Sequence, residues 1–299
     1  MLSDVTPMKD FIQHTLTPIL AALIWGFAFS AQSICGEYVQ PFAINAFRGL
    51  VAFLVLLAGC LVLKIRPGKT KDLILGGMSS GGALFFAGFV QQIGINMTTA
   101  GKSGFITALY IVLVPVAGIF MGKKTGRNVL LAVAAAVVGM YFLCITDSFS
   151  LAAGDLYLLA CAVGYTAQII FIDRYTEKVN GIALSASMFL FSGLFSALAS
   201  VLLEDAHLAD YGMCMGGLLY LAVFSSCVGY TLQIIAQKGG NPTKVSLCLS
   251  LESVFAVVGG VIVLHESMSG RELLGCLIMA CAIVLAQLPE KKKLKNAEE

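Results

Sequence analysis

Apolar residues run along the chain in stretches of about twenty, separated by short clusters of charge, glycine and proline. They fall at 17–37, 41–63, 73–97, 100–121, 128–146, 154–172, 181–203, 212–237, 242–264 and 270–288. A helix rises about 1.5 Å per residue and needs about 20 residues to cross the hydrocarbon layer, so each stretch predicts one membrane-spanning helix. Transmembrane β-strands are excluded, because the stretches lack period-2 alternation and are about twice the length of a barrel strand. The expected fold class is therefore an all-α membrane protein with ten transmembrane helices. Ten spans would use about 200 to 220 residues and leave roughly 80 for nine loops and two tails, with no room for an extramembrane domain.

Composition supports this reading and removes its rivals. Residues of the AVILMFWYC set make up 58% of the 299 residues, and charged residues only 12%. A soluble domain carries roughly a quarter charged residues, so there is too little polar surface here to coat a water-exposed globule. An ordinary soluble enzyme and a disordered chain are both excluded. The nine cysteines lie within or at the edges of apolar stretches with no C-x-x-C spacing, which points to neither a disulfide framework nor a zinc site.

Net charge is only +2, and no nucleic-acid partner is expected. The distribution of charge is more informative. With a cytoplasmic N-terminus, the inner loops and tails hold Lys9; Lys64, Arg66, Lys69 and Lys71; Lys123, Lys124 and Arg127; Arg174 and Lys178; Lys238 and Lys244; and Lys291, Lys292, Lys293 and Lys295, which is 16 of the 19 basic residues. The outer side has Lys102 and Arg271, and Arg48 lies inside a span. The positive-inside rule thus places both termini in the cytoplasm, in an inner or plasma membrane. Before the first apolar run stand Asp4, Asp10 and a single Lys9, unlike the basic start of a cleaved signal peptide, so the first span is expected to be retained. The run Lys291–Lys295 is expected to anchor the topology and to touch anionic lipid.

The two halves resemble each other. Sliding residues 91–124 by 142 matches Gln91 with Gln233, Ile93 with Ile235, Lys102 with Lys244, Leu109 with Leu251, Val116 with Val258 and Gly118 with Gly260, without a gap. Sliding the first two spans by 140 matches Ala22 with Ala162, Glu37 with Glu177 and Leu63 with Leu203, more weakly. Five spans per half is an odd number, so the second copy enters the membrane upside down. Inverted-topology repeats are the usual build of alternating-access carriers. The expected organisation is a tail over 1–16, a first five-helix repeat over 17–146, a second over 154–288, and a basic tail over 289–299.

The stretch GYTLQIIAQKGGNPTKVSLCLSLESVFAVVGGVIVLHE, residues 229–266, resembles the second-half signature of the EamA-type transporters of the drug/metabolite transporter superfamily. TTAGKSGFITALYIVLVPVAGIFMGKK, residues 98–124, looks like its first-half partner, and Trp25–Gly26 and Gly154–Asp155 are similar to the family's helix starts. The resemblance spans about residues 18–288. It implies transport of a small organic solute, with amino acids or similar metabolites as cargo and export as the direction. One departure is Ser253 after Glu252, where the family often has proline, so no proline is there to kink the ninth helix.

Polar residues inside a membrane are functional candidates by default, with interhelical hydrogen bonding as the alternative. Helical spacing puts Trp25, Phe29 and Gln32 on one face, Gly88, Gln91 and Gln92 on another, and likewise Ser103, Thr107 and Tyr110, and Tyr230, Gln233 and Gln237. These stripes predict a cavity between spans one to four and six to nine, with spans five and ten peripheral or dimer-facing. Arg48 should lie roughly 11 Å below the outer surface and Glu252 roughly 15 Å above the inner one, near the level of Tyr110 and Tyr165. The substrate-binding candidates are Trp25, Gln32, Arg48, Gln91, Gln92, Tyr110, Tyr165, Tyr230, Gln233 and Glu252. Two readings stand open for the charges. Arg48 and Glu252 pair with each other, or Arg48 meets a substrate carboxylate while Glu252 binds a proton or an amine.

Other motifs carry no chemistry. GKSG at 101–104 lacks the upstream glycine and strand of a phosphate loop, and His265–Glu266 lacks the second histidine of H-E-x-x-H. Asn241 and Pro242 predict a helix start, and the G-x-x-x-G pairs Gly77/Gly81 and Gly212/Gly216 predict close helix packing. No cofactor, metal or catalytic constellation is expected. The partners are a small-molecule substrate and the lipid bilayer, with proton or exchange coupling and homodimer formation left open. An intramembrane enzyme is disfavoured for want of a nucleophile with a base or of paired acids at one depth, and a passive channel for want of a charged ring.

Overall fold

The structure is a computed structural model that describes residues 5–122, 126–144, 152–205, 207–265, 267 and 269–287. The expected basic tail 289–299, Lys123, Lys124 and Glu266 lie outside the described residues. Helices dominate, and among the described residues β-pairing is confined to one isolated bridge, Gly68 with Val179. In chain order we number α1 (Met8–Gly36), α2 (Pro41–Val62), α3 (Thr70–Ile95), α4 (Ala100–Phe120) and α5 (Arg127–Cys144). There follow α6 (Ala153–Tyr175), α7 (Gly181–Leu203), α8 (Met215–Gln237), α9 (Pro242–Val263) and α10 (Gly270–Gln287). A short helix, Leu208–Met213, precedes α8.

Eight of these are long and apolar enough to cross a membrane, while α5 and α10 contribute the shorter apolar helices Arg127–Gly139 and Leu273–Leu285. The chain is thus a multi-pass helical membrane protein. Its first helix starts well before the expected residue 17, because the stretch ahead of it continues in helix through a π-turn over Ile12–Leu16.

Helix starts follow local chemistry. Asn180 and Asn241 cap α7 and α9, each side-chain oxygen accepting two backbone N–H bonds, and Pro242 takes the first helical position as expected. Thr99 caps α4 by accepting from Lys102 N at 3.2 Å. The start of α2 is capped from another helix. Glu204, just beyond α7, accepts from Phe42 N at 2.7 Å and Ala43 N at 2.8 Å, where the helix dipole favours a carboxylate.

The packing turns a soluble protein inside out. Apolar side chains such as Phe120 and Val201 are more than four-fifths exposed, as lipid-facing residues are, whereas Gln92, Gln168, Gln233, Ser226 and Ser253 are buried. The pair α2 and α7 runs together along most of its length, α3 packs on α6 and α7, α1 on α9 and α8, and α4 on α9 and α6. α5 and α10 lie against each other at one side, sealing Ala136, Met279 and Ile283 between them.

Close approach explains one glycine pair and not the other. A methyl added at Gly81 would stand 2.5 Å from the Met188 carbonyl oxygen, and Gly77 is closed off by Ser187, so this pair lets α3 meet α7. Gly212 and Gly216 face open space, with nothing within 4 Å. The expectation of packing there is corrected, because the start of α8 lies at the edge of the bundle.

Candidate functional site

The site is built around two interrupted helices. In α4 regular α-helix stops at Ala108 and resumes at Tyr110, and the turn tightens, with Leu109 N donating to Ile106 O at 3.2 Å. In α9 helix stops at Leu249 and resumes at Glu252, with Leu251 N donating to Cys248 O at 3.3 Å and Ser253 N to Ser250 O at 3.1 Å. Leu109 and Leu251 are the residues that the 142-residue repeat matches. The two breaks therefore lie 142 residues apart, the spacing of that sequence match. The break in α9 forms although Ser253 stands where the family often has proline. Hydroxyls do the work instead, since Ser250 Oγ donates to Leu247 O at 2.7 Å and Ser253 Oγ to Ser250 O at 2.8 Å, each satisfying a carbonyl where the helix is interrupted.

Each break presents its next residue to one cavity. Tyr110 opens the second half of α4 and Glu252 the second half of α9, and both line one small cavity at the centre of the bundle. Its walls come from α1, α2, α3, α4, α6, α8 and α9. α5 and α10 contribute nothing to it. Glu252 also stands in the first turn of its half-helix, where the positive end of the dipole favours a negative charge.

Arg48 reaches the cavity from α2, held by neighbours on α1 and α8. Its Nε donates to Ser226 Oγ at 2.8 Å, one Nη to Ser225 Oγ at 3.0 Å and the other to Gln32 Oε1 at 3.3 Å. Both serines lie in a π-helical stretch of α8, Tyr220–Gly229. That stretch also lets the Ser225 carbonyl accept from Trp25 Nε1 at 3.0 Å. The guanidinium has five N–H groups, so two stay uncommitted.

Aromatic rings fill the centre. Trp25 packs on Tyr230 with ring centroids 4.6 Å apart, and Tyr110 meets Tyr165 edge-on at 6.5 Å. Tyr230 Oη donates to Tyr165 Oη at 3.2 Å, which donates to Gln91 Oε1 at 2.9 Å. Gln168 and Gln233 form a reciprocal amide pair at 3.2 Å in both directions. Against this well-satisfied wall two atoms stand out. Glu252 Oε1 and Tyr110 Oη are buried, lie near each other, and make no hydrogen bond of good geometry. Arg48 and Glu252 share the cavity without an ion pair.

Nine of the ten sequence-derived candidates line this space: Trp25, Gln32, Arg48, Gln91, Tyr110, Tyr165, Tyr230, Gln233 and Glu252. Gln92 does not. Successive helical residues point about 100° apart, so Gln91 and Gln92 cannot both face one cavity. Gln92 turns behind α1, donating to Gln32 O at 3.0 Å and Asn96 Oδ1 at 2.9 Å. Sequence reasoning missed Gln168, although it follows Tyr165 by three residues on the same helical face. It also missed Ser225 and Ser226, whose aim depends on a π-helical register that no periodicity reveals.

Lys102 Nζ meets Asp155 Oδ2 at 2.8 Å, linking α4 to α6, and the same oxygen accepts from Ala152 N at 2.9 Å. Among the described residues no three His, Cys, Asp or Glu side chains gather as a metal site.

A membrane-embedded helical bundle with a central cavity, lined in part by polar side chains, between two interrupted helices is an architecture of membrane transporters. The EamA-like transporter family matches twice, over residues 15–145 and 152–288, and the chain belongs to that family, within the drug/metabolite transporter superfamily. It is 30% identical over 274 residues to an uncharacterized transporter of Archaeoglobus fulgidus, covering 90% of this chain and 84% of that one. A WAT1-related chloroplastic protein of Arabidopsis thaliana is 27% identical over 300 residues, covering 94% of this chain and 70% of its own. A crystal structure at 18% identity superposes with a TM-score of 0.75 over 92% of this chain and 96% of its own, which shows a shared fold.

Proposed function

We propose that this protein is a secondary active transporter that exports an amino acid or similar small zwitterionic metabolite across the inner or plasma membrane by alternating access. Ten spans in two inverted repeats would place both termini in the cytoplasm. Support comes from the packing, which keeps its pattern when each helix is exchanged for the one five places along. α3 on α6 answers to α8 on α1, α3 on α7 to α8 on α2, and α1 on α9 to α6 on α4. The double family match, one per half, is in accord with this.

The observation that carries the function is the cavity where both helices break, with Arg48 and Glu252 facing it unpaired. Two opposite charges buried in a membrane-spanning bundle without an ion pair are costly. A bound zwitterion resolves this, its carboxylate taking the two spare N–H groups of Arg48 and its ammonium taking Glu252 Oε1 and Tyr110 Oη. Glu252 is also the coupling site, accepting a proton when no amine is present. Counterflow in proteoliposomes, with amino acids inside and out and with or without a pH gradient, tests the reading. Exchange that requires a solute carrying both charges supports it, and uptake indifferent to either charge overturns it.

A further inference from the structure

α1 and α8 run antiparallel and touch from end to end. Gln13 Nε2 donates to Lys238 O at 2.9 Å at one end, Trp25 Nε1 donates to Ser225 O at 3.0 Å between, and Cys35 meets Cys214 at the other end. Cys35 is the last residue but one of α1, and Cys214 stands just before α8. Cys35 Sγ donates to the Cys214 carbonyl oxygen at 3.8 Å, and the two thiols are close enough to hydrogen-bond to each other. No spacing motif announces this pair, because 179 residues separate its members.

The surroundings let the two sulfurs meet. A methyl group at Gly217, one turn into α8, would stand 2.7 Å from Cys35 Sγ, so only glycine lets the α8 backbone come this close to the thiol. Cys214 sits at a joint, with φ −128° and ψ 23°, between the short helix that ends at Met213 and the helix that begins at Met215. A disulfide needs the two Cβ atoms about 3.8 Å apart, and a residue at a joint can turn toward its partner without unwinding a helix. Both cysteines carry free thiols in an apolar cluster with Val39, Ala43 and Leu218. Cys35 is fully buried and Cys214 is 5% exposed. Gly212 and Gly216 beside Cys214 face open space, so Cys214 is the thiol that a reagent in water reaches first, by local opening at the edge of the bundle.

We propose that Cys35 and Cys214 are a redox-closed pair whose disulfide latches α1 to α8. The oxidant is a disulfide compound of the aqueous phase. The Cys214 thiolate attacks one of its sulfurs and expels a thiolate, and the Cys35 thiolate then attacks Cys214 Sγ of the mixed disulfide and expels the second. The two cysteines give up two protons and two electrons, and the oxidant leaves as two thiols. In the proposed orientation both residues lie at the outer end of the bundle, on the side where disulfides persist. The bond closes one turn beyond Gln32, which holds Arg48 from α1 as Ser225 and Ser226 hold it from α8. Oxidation thus fixes the two helices that carry the guanidinium, and reduction frees them. Formation of the bond is independent of what the protein carries, whereas its effect on flux rests on the transport reading.

The test begins with the wild-type protein in detergent, exposed to glutathione disulfide, blocked with N-ethylmaleimide, digested without reduction and mapped by mass spectrometry. The expected product is the Cys35 peptide joined to the Cys214 peptide, lighter by two hydrogens than their sum and separated again by dithiothreitol. Cys35→Ser is expected to stop at a glutathione adduct on Cys214. Both cysteines recovered as maleimide adducts, glutathione retained on Cys214 of the wild type, or Cys35 joined to a different cysteine overturns the pair. Alanine counterflow in proteoliposomes, with glutathione disulfide on both sides, is expected to fall several-fold in the wild type and to recover with dithiothreitol. It should hold steady in Cys214→Ser, whose remaining Cys35 is buried. A joined pair with unchanged counterflow overturns the latch. A wild type that exchanges no amino acid counts against the transport reading instead, and the peptide map still decides the disulfide.

Discussion

Arg48 and Glu252 face one cavity from opposite halves of the chain, yet they form no ion pair. Arg48 spends three N–H groups on Gln32, Ser225 and Ser226, and Glu252 Oε1 is left without a partner. Had the two been paired, removing one would strand the other, and a double neutral variant would recover part of the loss. Unpaired charges behave otherwise. Arg48→Gln is expected to lower stability by about 1–3 kcal/mol, because three buried acceptors lose a charged donor. Glu252→Gln is expected to fold as the wild type does, and the double variant to equal the sum of the singles within about 0.5 kcal/mol. Thermal unfolding of the three variants in detergent checks this, and recovery in the double would restore the pairing.

Uptake separates the roles of the same two residues. Glu252→Gln keeps the side chain's shape but cannot exchange a proton, so transport should lose its dependence on an imposed pH gradient. Arg48→Gln should weaken anionic and zwitterionic solutes selectively and leave neutral or cationic ones less affected. Liposome flux at several external pH values distinguishes them. A Glu252→Gln protein that still responds to the gradient would assign coupling elsewhere.

Accessibility follows from the packing. With native cysteines replaced, a cysteine at Tyr110 or Tyr165 should react with a water-soluble thiol reagent and be protected by transported solute. Cysteine at Ala136 or Ile283 should not react, because both are sealed in the cluster between α5 and α10. Equal labelling at all four positions would contradict the cavity.

Topology is expected from the charge count. A reporter fused after Glu299 should appear on the cytoplasmic face, since 16 of the 19 basic residues gather on that side under the proposed orientation. An outside reporter would reverse the assignment of both repeats.

The break in α9 makes a prediction about its hydroxyls. Ser253→Ala removes the bond to Ser250 O and is expected to cost about 1 kcal/mol. Ser253→Pro should be tolerated nearly as well as Ser253→Ala. The Ser253 N–H makes a short-range bond to Ser250 rather than a regular helical one, and the position lies in the first turn of a helical segment. Melting temperatures of both variants check this, and a collapse of the proline variant would show the break to be regular helix.

Much of this protein is written in one dimension. Span positions and the exclusion of strands follow from the bilayer alone, because hydrocarbon forces every backbone polar group into an internal bond and leaves a run of about twenty apolar residues only one stable form. The same constraint made Gln91, Gln233, Arg48 and Glu252 conspicuous, since each had to find a polar neighbour or a cavity. The 142-residue register even marked Leu109 and Leu251, where both helices break.

Tertiary structure alone decided the rest. Whether Arg48 met Glu252 or Ser225 and Ser226 depended on a π-helical stretch, which rotates α8 away from the 100° step that sequence periodicity assumes. Gln92, adjacent to a cavity residue, faced away because of that same angular step on α3. The break beside Glu252 formed without proline because serine hydroxyls reached carbonyls one turn back.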